Sequence, residues 1–297
     1  MIKTWLSAFR LRTLPLALAS IGMGSFLAGA DGLFDETVFA LCALTTIFLQ
    51  ILSNLANDYG DSVHGADSLD REGPQRAVQS GQISRSAMFR AMIVFAILSL
   101  ASGLSLLYLS LDSLQGFLMF LGVGILAIIA AITYTAGKKP YGYAGLGDIS
   151  VLLFFGWVGV IGTYFLHTQT FDPLLLLPAS SCGLFAVAVL NVNNIRDIES
   201  DKKAGKKSIP VRIGRRKAIA YHWFLLSAGL LSAMIYVMAK FETPWQWLFL
   251  LSLPLLWING RAVQTKTKAS ELDPFLKQMA LTTLLFVLTF GIGQVVS

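Results

Sequence analysis

Charged residues are scarce along these 297 residues: Asp, Glu, Lys and Arg together make up 13%, against roughly 25% in soluble domains. With 55% hydrophobic residues and a mean hydropathy of +0.66, that scarcity excludes an ordinary soluble domain. Cysteine is scarcer still. Cys42 and Cys182 both lie inside apolar stretches, which speaks against a disulfide framework or a soft-metal site. Of the three histidines, His64 has no second His or Cys beside it, and a zinc site is not expected. No Lys/Arg tract alternates with aromatics, so the net charge of +6 does not mark a nucleic-acid groove. Neither a phosphate-binding P-loop nor a dinucleotide fingerprint is present, because Gly142, Gly145 and Gly147 lack the strand-to-helix context. Nor is there a cleavable signal: Pro15 to Ala30 is apolar, but a second long apolar run begins near Val38, so the first is read as a retained span.

What the chain does have is apolar runs near the roughly 20 residues that cross a bilayer. They predict an all-α polytopic membrane protein, a single domain over residues 1–297 with nine transmembrane helices. The expected spans are 14 to 30, 38 to 57, 88 to 110, 114 to 134, 148 to 167, 173 to 193, 219 to 239, 245 to 261 and 278 to 296. The basic residues support this threading. Of 23 Lys and Arg, 22 fall in the terminal segment and alternate connections on one side, and Lys240 alone falls on the other. The positive-inside rule then places the N-terminus and the charged loops in the cytoplasm and Ser297 outside. Two of the cytoplasmic connections are long and polar, and are expected to cap the mouth of the bundle.

Those two connections begin with acidic clusters. In Ser53-Asn54-Leu55-Ala56-Asn57-Asp58-Tyr59-Gly60-Asp61, the residues Asn54, Asn57, Asp58 and Asp61 share one helix face. Carboxylates at that depth are costly unless paired or bound to a cation. Asp67, Asp70, Arg71, Glu72 and Arg76 follow; carboxylates supply oxygens for Mg²⁺ and Arg matches phosphate oxygens bidentately. The second cluster, Asn194, Asp197 and Asp201, repeats the spacing on what reads as a continuing helix, ahead of Lys202, Lys203, Lys206, Lys207 and Arg212. Two such clusters at one membrane depth can hold metal ions against one diphosphate. Between them, Tyr134 and Lys138 end the fourth span and Asp148 opens the fifth. Lys138 is placed to meet diphosphate, and Tyr134 to meet it or face an allylic cation through its ring. The plainer alternative makes the acids interfacial caps and surface salt bridges, Tyr134 an interfacial ring, and Lys206, Lys207 and Arg215 to Lys217 an anionic-lipid contact.

This constellation resembles the UbiA family of intramembrane prenyltransferases. Asn57-Asp58-x-x-Asp61 is similar to that family's first aspartate-rich motif, Asp197-x-x-x-Asp201 to its second, and Tyr134-x-x-x-Lys138 to the Tyr/Lys motif between them. One departure matters. Where many members using 4-hydroxybenzoate have a third Asp four residues after Asp61, this chain has Gly65, with Asp67 nearby. Asp67-x-x-Asp70-Arg71-x-Gly73-Pro74, together with Asn193 to Asp197 leading into Gly205 to Gly214, resembles the menaquinone branch.

The resemblance implies a UbiA-like bundle in the bacterial inner membrane. It implies transfer of an all-trans polyprenyl chain, octaprenyl by expectation, from its diphosphate to 1,4-dihydroxy-2-naphthoate, with loss of diphosphate and CO₂, giving demethylmenaquinone. Asp58, Asp61, Asp197 and Asp201 would coordinate Mg²⁺. Lys138, Arg71, Arg76, Lys202 and Arg212 would contact diphosphate or the aromatic carboxylate, beside Asn54, Asn57, Tyr134 and Asn194, and Asp67 or Asp70 would orient or deprotonate the acceptor. Two other readings stay open: a related enzyme for another acceptor such as 4-hydroxybenzoate, and a cation-coupled transporter, whose acids would sit nearer the midplane.

Overall fold

The structure is a computed structural model that describes residues 1–64 and 76–297. Every regular element among them is helical. Helix α1 (Ile2–Phe9) and α2 (Leu14–Ala30) are separated by a sharp bend at Arg10, whose φ of 49° is positive. Asn54 fixes that bend from the next helix, its amide donating to the Phe9 carbonyl at 2.9 Å and to Thr13 Oγ1 at 3.0 Å. Helices α3 (Glu36–His64), α4 (Arg85–Ser110) and α5 (Leu114–Thr133) follow. Ser84 and Ser113 start α4 and α5 by accepting the Ala87 and Gly116 amides, satisfying donors that a first helical turn leaves open.

Helix α6 (Gly147–Thr168) contains a π-helical stretch over Leu152–Ile161. Next come α7 (Leu176–Arg196), the short α8 (Ile198–Lys203) and α9 (Ile209–Ala239), which is interrupted at Gly214, where φ is 77°. A 3₁₀ stretch, Pro244–Ser252, runs into α10 (Leu253–Thr265), and α11 (Ala269–Val295) ends the chain.

Eight helices among the described residues are long and apolar enough to cross a bilayer. The ninth expected span, 245 to 261, is the 3₁₀ stretch and α10 end to end, where Gln246, Asn259 and Arg261 dilute the apolar run. Two further boundaries differ from the sequence reading. Helix α3 runs seven residues past its expected end, so the whole first acidic cluster is helical. The second cluster does not ride one straight helix, because α7 stops at Arg196 and the chain turns at Asp197 (φ −96°, ψ 12°) before α8.

The core has two main packed regions. One joins α2, α6, α7, α9, α10 and α11 around Phe185, Phe249, Phe286 and Phe290, whose rings meet at 4.8 to 5.9 Å between centroids, distances at which aromatic pairs add to burial. The other joins α1, α3, α4 and α5 around Leu52, Leu55 and Met88. Gly60 of α3 lies against the backbone just after α5: a β-carbon there would stand inside the Thr135 carbonyl and 2.8 Å from the Ala136 nitrogen. Helix α5 differs from the rest in having no buried residue.

Candidate active site

A cavity of about 660 Å³ is lined by residues of both packed regions. Its apolar end is closed by Ile21, Cys42, Leu106, Leu107 and Leu166, and α5 supplies Val123, Gly124, Ala127, Ile128 and Ala131 to its wall. The polar end gathers Asp61, Asp197 and Asp201 with Arg76, Arg196 and Lys206. The two acidic clusters, about 140 residues apart in sequence, thus face one chamber.

Asp61 is 1% exposed and is engaged from three connections. Arg76 Nη2 is 2.5 Å from Oδ2, Tyr143 donates its hydroxyl to Oδ1 at 2.7 Å, and Lys206 Nζ lies 3.4 Å from Oδ1. Lys206 also lies 3.5 Å from Asp201 Oδ1, so one ammonium stands between the clusters. Burial raises the Asp201 pKa above the ordinary carboxylate value, the Lys206 charge opposes that rise, and Asp197 and Asp61 add to it. Asp197 is held on two points, Arg196 Nε to Oδ1 and Nη2 to Oδ2, both at 2.7 Å. Arg196 also donates to Asn193 at 3.0 Å and to Asp273 at 2.6 Å.

Asp58 has a different setting. Its two oxygens accept the backbone amides of Ala77 and Val78 at 3.1 and 3.2 Å, and it lines a smaller cavity with Arg10 and Arg76 instead of the main one. Its carboxylate therefore shapes the segment that delivers Arg76 to Asp61.

The remaining expected residues divide in two. Asn54, Asn57, Tyr134 and Asn194 line the chamber with Arg76; Asn57 Oδ1 accepts the Thr135 hydroxyl at 2.9 Å, and Asn54 also holds the α1–α2 bend. Lys138 and Lys202 are exposed and stand outside the cavity lining. Arg212 is exposed too, its guanidinium donating to the Ala144 carbonyl. Asp67, Asp70 and Arg71 lie outside the described residues.

Sequence reasoning passed over Arg10, Arg12, Tyr143, Arg196, Lys206 and Asp273, all of which line the chamber. Lys206, read as a lipid contact, turns inward because α8 ends in a Schellman motif: Gly205 takes φ 72°, and Gly205 and Lys206 donate their amides to the Lys202 and Asp201 carbonyls. The signal in the sequence was the glycine, which lets the chain double back over Asp201.

Among the described residues no three His, Cys, Asp or Glu side chains form a closed metal cage. The donor set fits a hard divalent cation: carboxylate oxygens of Asp61 and Asp201 converge on one positive charge, the Lys206 ammonium. Arg76 nearby offers the forked donors that suit phosphate, whereas the guanidinium of Arg196 is engaged by Asp197, Asn193 and Asp273.

The model of the UbiA prenyltransferase family matches residues 17–290. A 1,4-dihydroxy-2-naphthoate octaprenyltransferase from Escherichia coli is 47% identical, over 98% of this chain and 96% of its own. One of the same name from Mycobacterium tuberculosis is 37% identical, over 96% and 94%. Among solved structures, a UbiA homolog from Archaeoglobus fulgidus bound to GPP and Mg²⁺ superposes with a TM-score of 0.68 at 18% identity, covering 99% of this chain and 100% of that one. A UbiA homolog from Aeropyrum pernix gives 0.69 at 15%, covering 97% and 98%.

Proposed function

This chain belongs to the UbiA prenyltransferase family, and on that premise we propose that it transfers an all-trans polyprenyl group from its diphosphate to 1,4-dihydroxy-2-naphthoate. The group transferred is octaprenyl in the names of the relatives. The observation that carries the reading is the meeting of Asp61 and Asp201 around one cation at the head of an apolar cavity, with Arg76 and Arg196 beside them. Apolar wall and charged head match a substrate that is hydrocarbon at one end and diphosphate at the other.

Asp61 and Asp201 would hold Mg²⁺ between them, with Asp197 and Asp58 of the same clusters each engaged on two points by protein donors. Held there, the metal ion would supply positive charge to offset the negative charge developing on the diphosphate leaving group. Arg76 would hold diphosphate oxygens in forked geometry, while Arg196 keeps Asp197 in place. The allylic C–O bond breaks with its electron pair leaving on diphosphate, and the electron-rich ring attacks the resulting carbon. Departure of the ring carboxylate as CO₂ leaves its electron pair on the ring and offsets the incoming positive charge, so no net proton is consumed. Tyr134 and Tyr141, their rings 5.3 Å apart edge to face, line the same chamber and present π-faces suited to an allylic cation. The helical walls keep bulk water from it.

The protein is a multi-pass membrane enzyme. The distribution of Lys and Arg supports an orientation with the acidic end in the cytoplasm and Ser297 outside, and the bacterial relatives support an inner-membrane location. The test is Mg²⁺-dependent prenylation in membranes with octaprenyl diphosphate, offering 1,4-dihydroxy-2-naphthoate and 4-hydroxybenzoate side by side and resolving products by mass. Prenylated naphthoquinol lacking the carboxyl mass, abolished by EDTA, is the expected result. Product from 4-hydroxybenzoate alone would transfer the assignment to another branch of the family.

A further inference from the structure

Lys206 is placed with more care than a lipid-facing lysine requires. The turn at Gly205 aims it inward, the next residue is pinned by the Lys207 amide donating to the Tyr143 carbonyl at 2.9 Å, and its ammonium rests 4.8 Å from the Tyr143 ring centre. Two carboxylates from opposite clusters share it, and without a cation between them their like charges would repel across a poorly solvated gap.

The contact lengths distinguish Lys206 from its neighbours. Charge-assisted hydrogen bonds run about 2.7 to 2.9 Å. Arg76 and Arg196 meet their carboxylates at 2.5 and 2.7 Å, whereas Lys206 stands at 3.4 and 3.5 Å. The lysine is thus held by charge without close hydrogen bonding, on a flexible stem that can swing. An ion of charge two in its place gains about twice the Coulomb energy per carboxylate.

We propose that Lys206 is an internal counter-cation, which holds Asp61 and Asp201 together in the substrate-free protein, gives up that position to a divalent cation, and moves onto the diphosphate that accompanies it. This rests on the metal and diphosphate reading above. It makes Lys206 both a competitor of the metal before substrate arrives and a partner of the diphosphate afterwards. It also keeps the two clusters assembled between turnovers, when no metal is present to do so.

The experiment uses the full-length protein in lipid nanodiscs without prenyl substrate, with Mn²⁺ as probe and electron paramagnetic resonance as readout of free metal. Lys206→Met is expected to bind Mn²⁺ about tenfold more tightly than the parent protein when no diphosphate is present, the size of change that a 1.4 kcal/mol relief of competition gives. Adding inorganic pyrophosphate should erase that advantage, because only the parent protein then gains a lysine contact. Equal or weaker Mn²⁺ binding by Lys206→Met without pyrophosphate overturns the proposal. A second measurement needs no variant. Acylation of the Lys206 amine, followed by mass spectrometry of the parent protein, should rise on adding Mn²⁺ and fall again when pyrophosphate joins it, and labelling indifferent to Mn²⁺ overturns the exchange. If the parent binds Mn²⁺ regardless of what happens at Lys206, this inference fails and the proposed function stands; if it binds no Mn²⁺ even with pyrophosphate, both fall.

Discussion

Arg196, at the last turn of α7, reaches Asp273 in the first turns of α11 at 2.6 Å while its other edge grips Asp197. One guanidinium therefore fastens the second acidic cluster to the final helix. Its side chain is 3% exposed, and that of Asp273 is 39%. Asp273→Asn should accordingly cost about 1 kcal/mol or less, solvent screening the pair. Arg196→Ala takes the guanidinium from a buried carboxylate and should cost about 3 kcal/mol. Thermal unfolding in one detergent compares the two, and equal losses would show that the Asp197 pairing contributes little.

Asp61 and Asp58 sit one helical turn apart and should fail differently when neutralised. Asp61→Asn and Asp201→Asn are expected to lower kcat by about 100-fold or more with the fold retained, the scale of losing one transition-state charge contact. Asp58→Asn weakens two hydrogen bonds to the Ala77 and Val78 amides, and its main effect should be a loss of about 1 to 2 kcal/mol in stability. Melting temperature and Mg²⁺-saturated kcat, measured together, separate these cases.

Gly60→Ala tests the seam between α3 and the connection after α5. The added methyl would enter the Thr135 carbonyl, which is backbone and cannot rotate away. Overpacking of this kind costs about 1 to 3 kcal/mol. Since Asp61 is the next residue, loss of activity should accompany the loss of stability. Activity at the parent level would mean that the seam is looser than its contacts indicate.

Asp172 and Lys240 form an ion pair at 2.6 Å at the end of the bundle away from the acidic chamber. The Lys240 hydrogen bond, with the Leu174 amide, holds Asp172 below the ordinary carboxylate value. Burial alone would lower Lys240, but Asp172 outweighs it and raises the ammonium above its usual value. The pair's contribution is thus fully present between the two unfolded pKa values, about 4 and about 10. It is lost below as pH falls through the depressed Asp172 value, and above as pH rises through the raised Lys240 value. With side chains 33% and 37% exposed, it should amount to no more than about 0.5 kcal/mol. Lys240→Met should lower the melting temperature by a degree or so in low salt and not at all in molar salt; a larger, salt-independent drop would assign Lys240 a packing role.

Much of this was legible in the sequence. Apolar runs placed the helices, since in hydrocarbon every backbone group must be satisfied within its own segment, and the aspartate spacing picked out Asp61, Asp197 and Asp201. Which bases serve them was less legible. Lys138, Lys202 and Arg212 adjoin the motifs in sequence yet stand outside the cavity lining, whereas Arg196 and Lys206 line it. The difference arises from the turn at Asp197 and the left-handed Gly205, two local changes of direction that a helical wheel drawn through the cluster cannot represent. The second role of Asn54 was hidden for a related reason: it lines the chamber, and its hydrogen bonds go to Phe9 and Thr13, set by a bend that apolar periodicity does not reveal.

Helix α5, which forms part of the cavity wall without burying one residue, has a consequence for where affinity originates. A single helix thickness separates the chamber from lipid acyl chains, and those are as apolar as the side chains lining it. A polyprenyl tail that enters exchanges one hydrocarbon for another, so its partition free energy is close to zero and each added isoprene unit changes it little. Recognition of the donor is therefore delegated to its few polar atoms. Once diphosphate has departed, the prenylated ring keeps no strong hold on the protein, and the bilayer itself is the solvent that carries the product away.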